Sequence, residues 1–176
     1  MKAKTKKILK YSIFGALTAG AGVIIYLSFK TNVSENDAKR YKPKYFSESD
    51  FFKSSTATQY GIDNTTEDET ILNNLKALCK VVIDPAIDEY GGSVSVNSAY
   101  RNRSVNELVG GVSSSQHMKG EAMDITTGSR DGNKILFNVI KNQNKFDQLI
   151  NESNYQWVHV SYKRTGYNRQ QVLSIS

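Results

Sequence analysis

The strongest periodic signal in the chain lies between Glu67 and Tyr90, where Ile71, Leu72, Leu75, Leu78 and Val82 recur at spacings of three and four. That period lays one apolar stripe along a helix. Glu67, Asp68 and Glu69 bring negative charge to the positive end of its dipole, and Gly91 and Gly92 stop it. Beyond them the apolar runs shorten: "SVSVN", "EAMDITT", "FDQLI", "WVHVSY" and "QQVLSI" read as strands. "SVNELVGG" reads as a short helix closed by glycines, and "RDGNKILFNVIKN" as a second amphipathic helix. The predicted class is α+β, with one long helix, several short ones and a small antiparallel sheet.

The N-terminal part follows another pattern. Nineteen positions, Tyr11 to Phe29, separate Lys10 from Lys30 without a charge, close to the roughly 20 residues that span a bilayer core. Five lysines precede the run and Lys30 closely follows it. The positive-inside rule then predicts a single-pass transmembrane helix, with a cytoplasmic N-terminus and a periplasmic or extracellular remainder. A cleaved signal peptide and secretion form the competing reading, against which no small-x-small cleavage site follows the run. Residues 31–45 are polar and read as a linker, followed by aromatic anchors at Tyr45, Phe46, Phe51 and Phe52. The expected organisation is a basic tip and membrane anchor over 1–30, a linker over 31–45 and one folded domain over 46–176.

Charge narrows the function. The chain of 176 residues carries a formal charge of +6, from 23 Lys and Arg against 17 Asp and Glu. Six of the basic residues, Lys2, Lys4, Lys6, Lys7, Lys10 and Lys30, fall before Asn32, leaving 17 basic against 17 acidic side chains in the body. A neutral body lacks the footprint of a nucleic-acid-binding surface. The single cysteine, Cys79, excludes an intramolecular disulfide and sits in the apolar helical run "LKALCKVVI", where it reads as a buried inert thiol.

Only two histidines occur, His117 and His159. His117 and Asp124 are seven residues apart, which on a helix separates them by about 10 Å along the axis, too far for one metal bound at about 2 Å. A loop turning at Gly120 into a strand brings them together, since glycine permits the turn. On that strand Asp124 shares a face with Ala122. In "WVHVSY" the valines 158 and 160 take one face, and Trp157, His159 and Ser161 the other. That is a core strand presenting a site.

"SSQHMKGEAMDI" and "WVHVSY" together resemble the two metal-binding motifs of the zinc D-alanyl-D-alanine carboxypeptidase family, which shares its fold with Hedgehog signalling domains. "VNSAYRNRSVNELVGG" and "SSTATQYGIDN" resemble the segments upstream, so the resemblance runs from about Tyr45 to Leu173. It implies that His117, Asp124 and His159 hold a zinc ion with a fourth position for the water that attacks a peptide carbonyl. It further implies substrate contacts from Arg101 and Ser115, a guanidinium suiting the terminal carboxylate of a D-Ala peptide. A structural ion pair is the other reading of Arg101, and Arg103 is a second candidate. Trp157 is assigned to the substrate face, and Gln116 either to substrate backbone or to holding its loop.

One departure stands out. Many members of the family carry a catalytic Glu three residues before the last His, where this chain has Gln156. Glutamine cannot accept a proton from water. Glu152, the nearest carboxylate ahead of the His159 strand, is the expected general base, while Asp147 is expected to anchor a turn or strand. The resemblance implies a zinc peptidase acting on peptidoglycan stem peptides, as a carboxypeptidase or an endopeptidase. The alternative is a metal-bound, non-catalytic binding module of the Hedgehog type.

Overall fold

The structure is a computed structural model that describes residues 11–13 and 27–175, with side chains described from Asn32 to Ile175. In chain order the elements are β1 (Tyr11–Ile13), β2 (Leu27–Asn32), α1 (Glu35–Arg40), α2 (Ser55–Tyr60), α3 (Glu69–Leu78), α4 (Asp84–Tyr90), β3 (Ser95–Ser98), α5 (Arg103–Leu108), β4 (Ala122–Thr126), α6 (Arg130–Gln143), β5 (Gln148–Glu152), β6 (Trp157–Ser161), β7 (Thr165–Asn168) and β8 (Gln171–Ile175). Short 3-10 turns occupy Glu48–Phe52 and Gln116–Lys119.

Five strands form one sheet in the order β3-β4-β6-β5-β8. Its faces are divided by the alternation expected of a strand. Met123, Ile125, Leu149, Val158 and Val160 point into the core and are fully buried against helix residues such as Leu75, Leu78, Leu136 and Ile140. Each such side chain contributes about 1.5–3 kcal/mol by leaving water. The opposite face carries Asp124, Ile150, Glu152, Trp157 and His159 along a cleft. The core thus fixes the register that sets the site, because a one-residue slip would exchange the two faces.

Two expectations are corrected here. The sheet is mixed, not antiparallel: β8 runs parallel to β5, from Gln148 opposite Gln171 to Glu152 opposite Ile175. A parallel neighbour needs a crossover, and residues 162–170 supply it through β7, which pairs in a separate three-stranded sheet with β2 and β1. The expected transmembrane helix, and with it the single-pass membrane placement, is overturned. Among the described residues no helix is long and apolar enough to cross a membrane. The described ends of the Tyr11–Phe29 run lie in β1 and β2, which pair antiparallel, in keeping with the strand preference of aromatic and β-branched residues. The middle of the run, residues 14–26, lies outside the described residues.

The polar stretch 31–45 carries α1, whose Ala38 is fully buried. Asp84 fastens the segment after α1, accepting hydrogen bonds from Tyr41 Oη (2.6 Å) and the Lys44 amide (2.8 Å). The long helix runs as expected, but Cys79–Ile83 winds as a π-helix, with the Asp84 amide bonded to Cys79 O. Pro85 lacks the N–H for a regular bond to residue 81 and crowds that carbonyl, and the widened turn accommodates it. Cys79 is fully buried and burial pushes its thiol well above the ordinary range, as an inert thiol should be.

Asp147 anchors the crossover. Fully buried, it accepts the Arg169 amide at 2.9 Å and a two-point contact from the guanidinium, at 3.1 and 2.5 Å. Burial would raise its carboxyl, but Arg169 and Lys163 hold it below the ordinary value. A carboxyl lowered in the folded state contributes stability above its unfolded pKa of about 4 and loses it as pH falls through the lower folded value. Asp147→Asn is therefore expected to cost about 2 kcal/mol at pH 7, less than the 3–5 of a fully buried pair because Arg169 is half-exposed and can return to water. Urea melts at pH 7 and pH 3 check this: the variant's deficit should shrink at the lower pH.

Candidate metal centre

The sheet register brings three expected ligands' elements into one place. Ile150, His159, Asp124 and Ser98 are successive lateral partners across β5, β6, β4 and β3. His117 arrives from the 3-10 turn before β4, which ends at Gly120 with φ +66°. A Cβ at Gly120 would lie 2.5 Å from the backbone oxygen of Ile71 on α3, so only glycine permits both the turn and its seat on the helix.

Three donor atoms converge. Asp124 Oδ1 lies 2.8 Å from His159 Nδ1 and 3.3 Å from His117 Nε2, and the two imidazole nitrogens are 3.2 Å apart. A tetrahedral ion with bonds of about 2.0–2.1 Å requires donors roughly 3.3 Å apart, so the triangle fits a first-row divalent ion. His117 Nδ1 donates to Ala99 O at 2.6 Å. A carbonyl can only accept, which fixes the tautomer and leaves Nε2 with its lone pair toward the cluster. Two nitrogens and one carboxylate oxygen, with a cleft on the open side, form the donor set of a catalytic rather than a closed structural site.

Electrostatics agree with this donor set. Burial holds His117 below the ordinary imidazole value against the pull of Asp124, so the ring stays neutral, as a ligand must. Arg101 donates to Asp124 Oδ2 at 2.5 Å and to Ser98 Oγ at 2.8 Å. It occupies the outer oxygen of Asp124 and leaves Oδ1 to the cluster.

The other expected site residues divide. Ser115, Gln116, Trp157 and Arg101 line the same cleft as the three ligands, and Glu152 does too. Glu152 is the lateral partner of Trp157, two positions from Ile150 on the open face of β5. Partial burial pushes its carboxyl above the ordinary value, with His159 pulling down and Asp124 adding upward. Gln116 turns to Glu121, its Nε2 at 3.4 Å, and its Oε1 is buried without a partner. Arg103 opens α5, exposed, and does not line the cleft.

Sequence reasoning missed Asn133. From α6 it donates through Nδ2 to the backbone oxygens of Tyr155 and Gln156 at 3.0 and 2.9 Å. It clamps the turn between Glu152 and Trp157, where Ser153, Asn154 and Tyr155 all have left-handed φ of 47–62°. The signal was present: Asn133 falls on the apolar stripe of Leu136, Phe137 and Ile140, and is 1% exposed. A buried polar side chain on such a stripe needs a partner.

The family model of Peptidase M15 matches residues 44–161, a span that contains His117, Asp124, Glu152 and His159 and ends with β6. No curated protein is significantly similar to the chain. M15 peptidases are zinc-dependent, in accord with the donor set of the cleft. By fold, donor geometry and this match, the chain belongs to the peptidase M15 family, the zinc D-Ala-D-Ala carboxypeptidase and Hedgehog-like group.

Proposed function

We propose that the chain is a zinc peptidase that hydrolyses peptidoglycan stem peptides, as a D-Ala carboxypeptidase or an endopeptidase. His117 through Nε2, Asp124 through Oδ1 and His159 would hold the ion, and the observation that carries the reading is their convergence within 3.3 Å of one another in an open cleft. Zinc bound there supplies Lewis acidity to the scissile carbonyl and to the attacking water. Glu152 accepts the proton of that water and returns it to the leaving amine, a role suited to a half-buried carboxylate with a raised pKa. Arg101, already pinned by Ser98 and Asp124, presents its cationic edge to a substrate carboxylate. Ser115 and Gln116 offer polar contacts to the peptide backbone, and Trp157 an apolar wall beside Glu152. A carboxylate base on the cleft face supports hydrolysis over a purely binding role.

The test is mass spectrometry of purified muropeptides incubated with the protein, with zinc and with chelator. Chelator-sensitive loss of D-alanine, or of a longer fragment, is the expected result. Intact muropeptides after incubation with zinc-loaded protein would sink the reading.

A further inference from the structure

His117 is held from two sides: Ala99 O fixes its ring, while α3 holds the end of its turn. The hold from α3 is a relay. Asn74 Nδ2 donates to Lys119 O at 2.9 Å, one residue before the Gly120 seat on Ile71. Asn74 Oδ1 accepts Arg164 Nε at 3.0 Å. The Arg164 guanidinium also donates through Nη1 to Val33 O at 3.2 Å, and Arg164 O accepts the Val33 amide at 3.0 Å. Asn74 is 9% exposed and has both ends of its amide engaged. Arg164 follows β6, five residues after His159. The relay therefore ties the turn bearing His117 to the exit of the strand bearing His159, and both to Val33. Val33 and Arg164 both lie outside the span 44–161 that matches the family.

We propose that Asn74 is a positioning residue for His117, and that Arg164 makes its hold depend on the docked segment at Val33. The proposal rests on the metal reading of the site. An amide that bridges a carbonyl and a guanidinium cannot rotate without losing both partners, so the turn's end is fixed while the segment is docked. Releasing Val33 frees one of the two anchors of the Arg164 side chain, and the looseness passes through Asn74 to the turn.

The test uses the full chain as wild type, Asn74→Ala, Asn74→Asp and Arg164→Ala. Zinc affinity is read by competition with a chromophoric chelator. Hydrogen exchange is read at Met118, Gly120 and Glu121, whose amides bond within the turn, with α6 as internal reference. Both Asn74 variants are expected to bind zinc more weakly, by up to about tenfold, the lower end of the effect for a group bonded to the ligand itself. They should also exchange faster at the three amides and not in α6. Asn74→Asp is the sharper arm, since it keeps the size and the Arg164 contact but cannot donate to Lys119 O. Arg164→Ala should act in the same direction and also speed exchange around Val33. Wild-type affinity and exchange in both Asn74 variants would overturn the proposal. A wild type that binds no zinc overturns the metal reading alone, and exchange at the three amides then still decides for or against Asn74.

Discussion

Glu152→Gln is expected to lower kcat for muropeptide hydrolysis by about 10²–10⁴, the range a general base supplies, while zinc affinity stays within about threefold of wild type. Glutamine keeps the size of the side chain and its place at the end of β5, so the loss isolates proton transfer. Glu121 is the other half-buried carboxylate of the cleft, and burial raises it too. Its charged neighbours are Lys119, Lys163 and Asp147, none of them a ligand, whereas Glu152 interacts with His159 and Asp124. Glu121→Gln should therefore cost much less. As the proposed base, Glu152 must act deprotonated, so the rate should fall as pH drops through its titration. That acid limb should vanish in Glu152→Gln. A pH profile of kcat/KM for both proteins checks it, and an unaltered limb would reassign the base.

Asp124→Ala should abolish zinc-dependent hydrolysis and also weaken the protein in the presence of chelator. The second effect arises because Asp124 is the shared partner of three groups, Arg101, His117 and His159. Removing it leaves the Arg101 side chain, 17% exposed, without its counter-charge. Breaking a buried pair costs about 3–5 kcal/mol, and about 3 is expected here since Arg101 keeps Ser98 and reaches the cleft. Denaturant melts in chelator give the stability loss, and competition titration the metal loss. A variant as stable as wild type in chelator would mean that Arg101 draws little from the pair.

How far the sequence foretold this structure depends on whether local pattern or distant contact decided each element. The long helix showed in its three-to-four spacing, and β6 in the opposition of Val158 and Val160 to Trp157 and His159. The need for a loop and strand around Gly120 came from the spacing of His117 and Asp124. The π-turn was hidden because Pro85 falls just beyond an otherwise regular apolar stripe. The parallel pairing of β8 was hidden because alternation is the same in either direction, and only the crossover held by Asp147 and Arg169 decides it. The apolar run at Tyr11 misled, since length and charge cannot tell a spanning helix from strands that find partners elsewhere. β2 finds its partner in β7, a polar strand with little pattern of its own. Asn74 and Asn133 escaped notice although each interrupts an apolar stripe, and both proved to be clamps.

The three successive left-handed residues after Glu152 also bear on engineering. Serine and tyrosine in that conformation cost roughly 1–2 kcal/mol each, asparagine less, and Asn133 clamps the end of the turn at Tyr155 and Gln156. A search for heat-resistant variants would be drawn to glycine at these positions, because glycine relieves the strain. The same change would let the carboxylate next door wander. Here hardiness and competence pull apart, and a screen on melting temperature alone would reward the wrong protein.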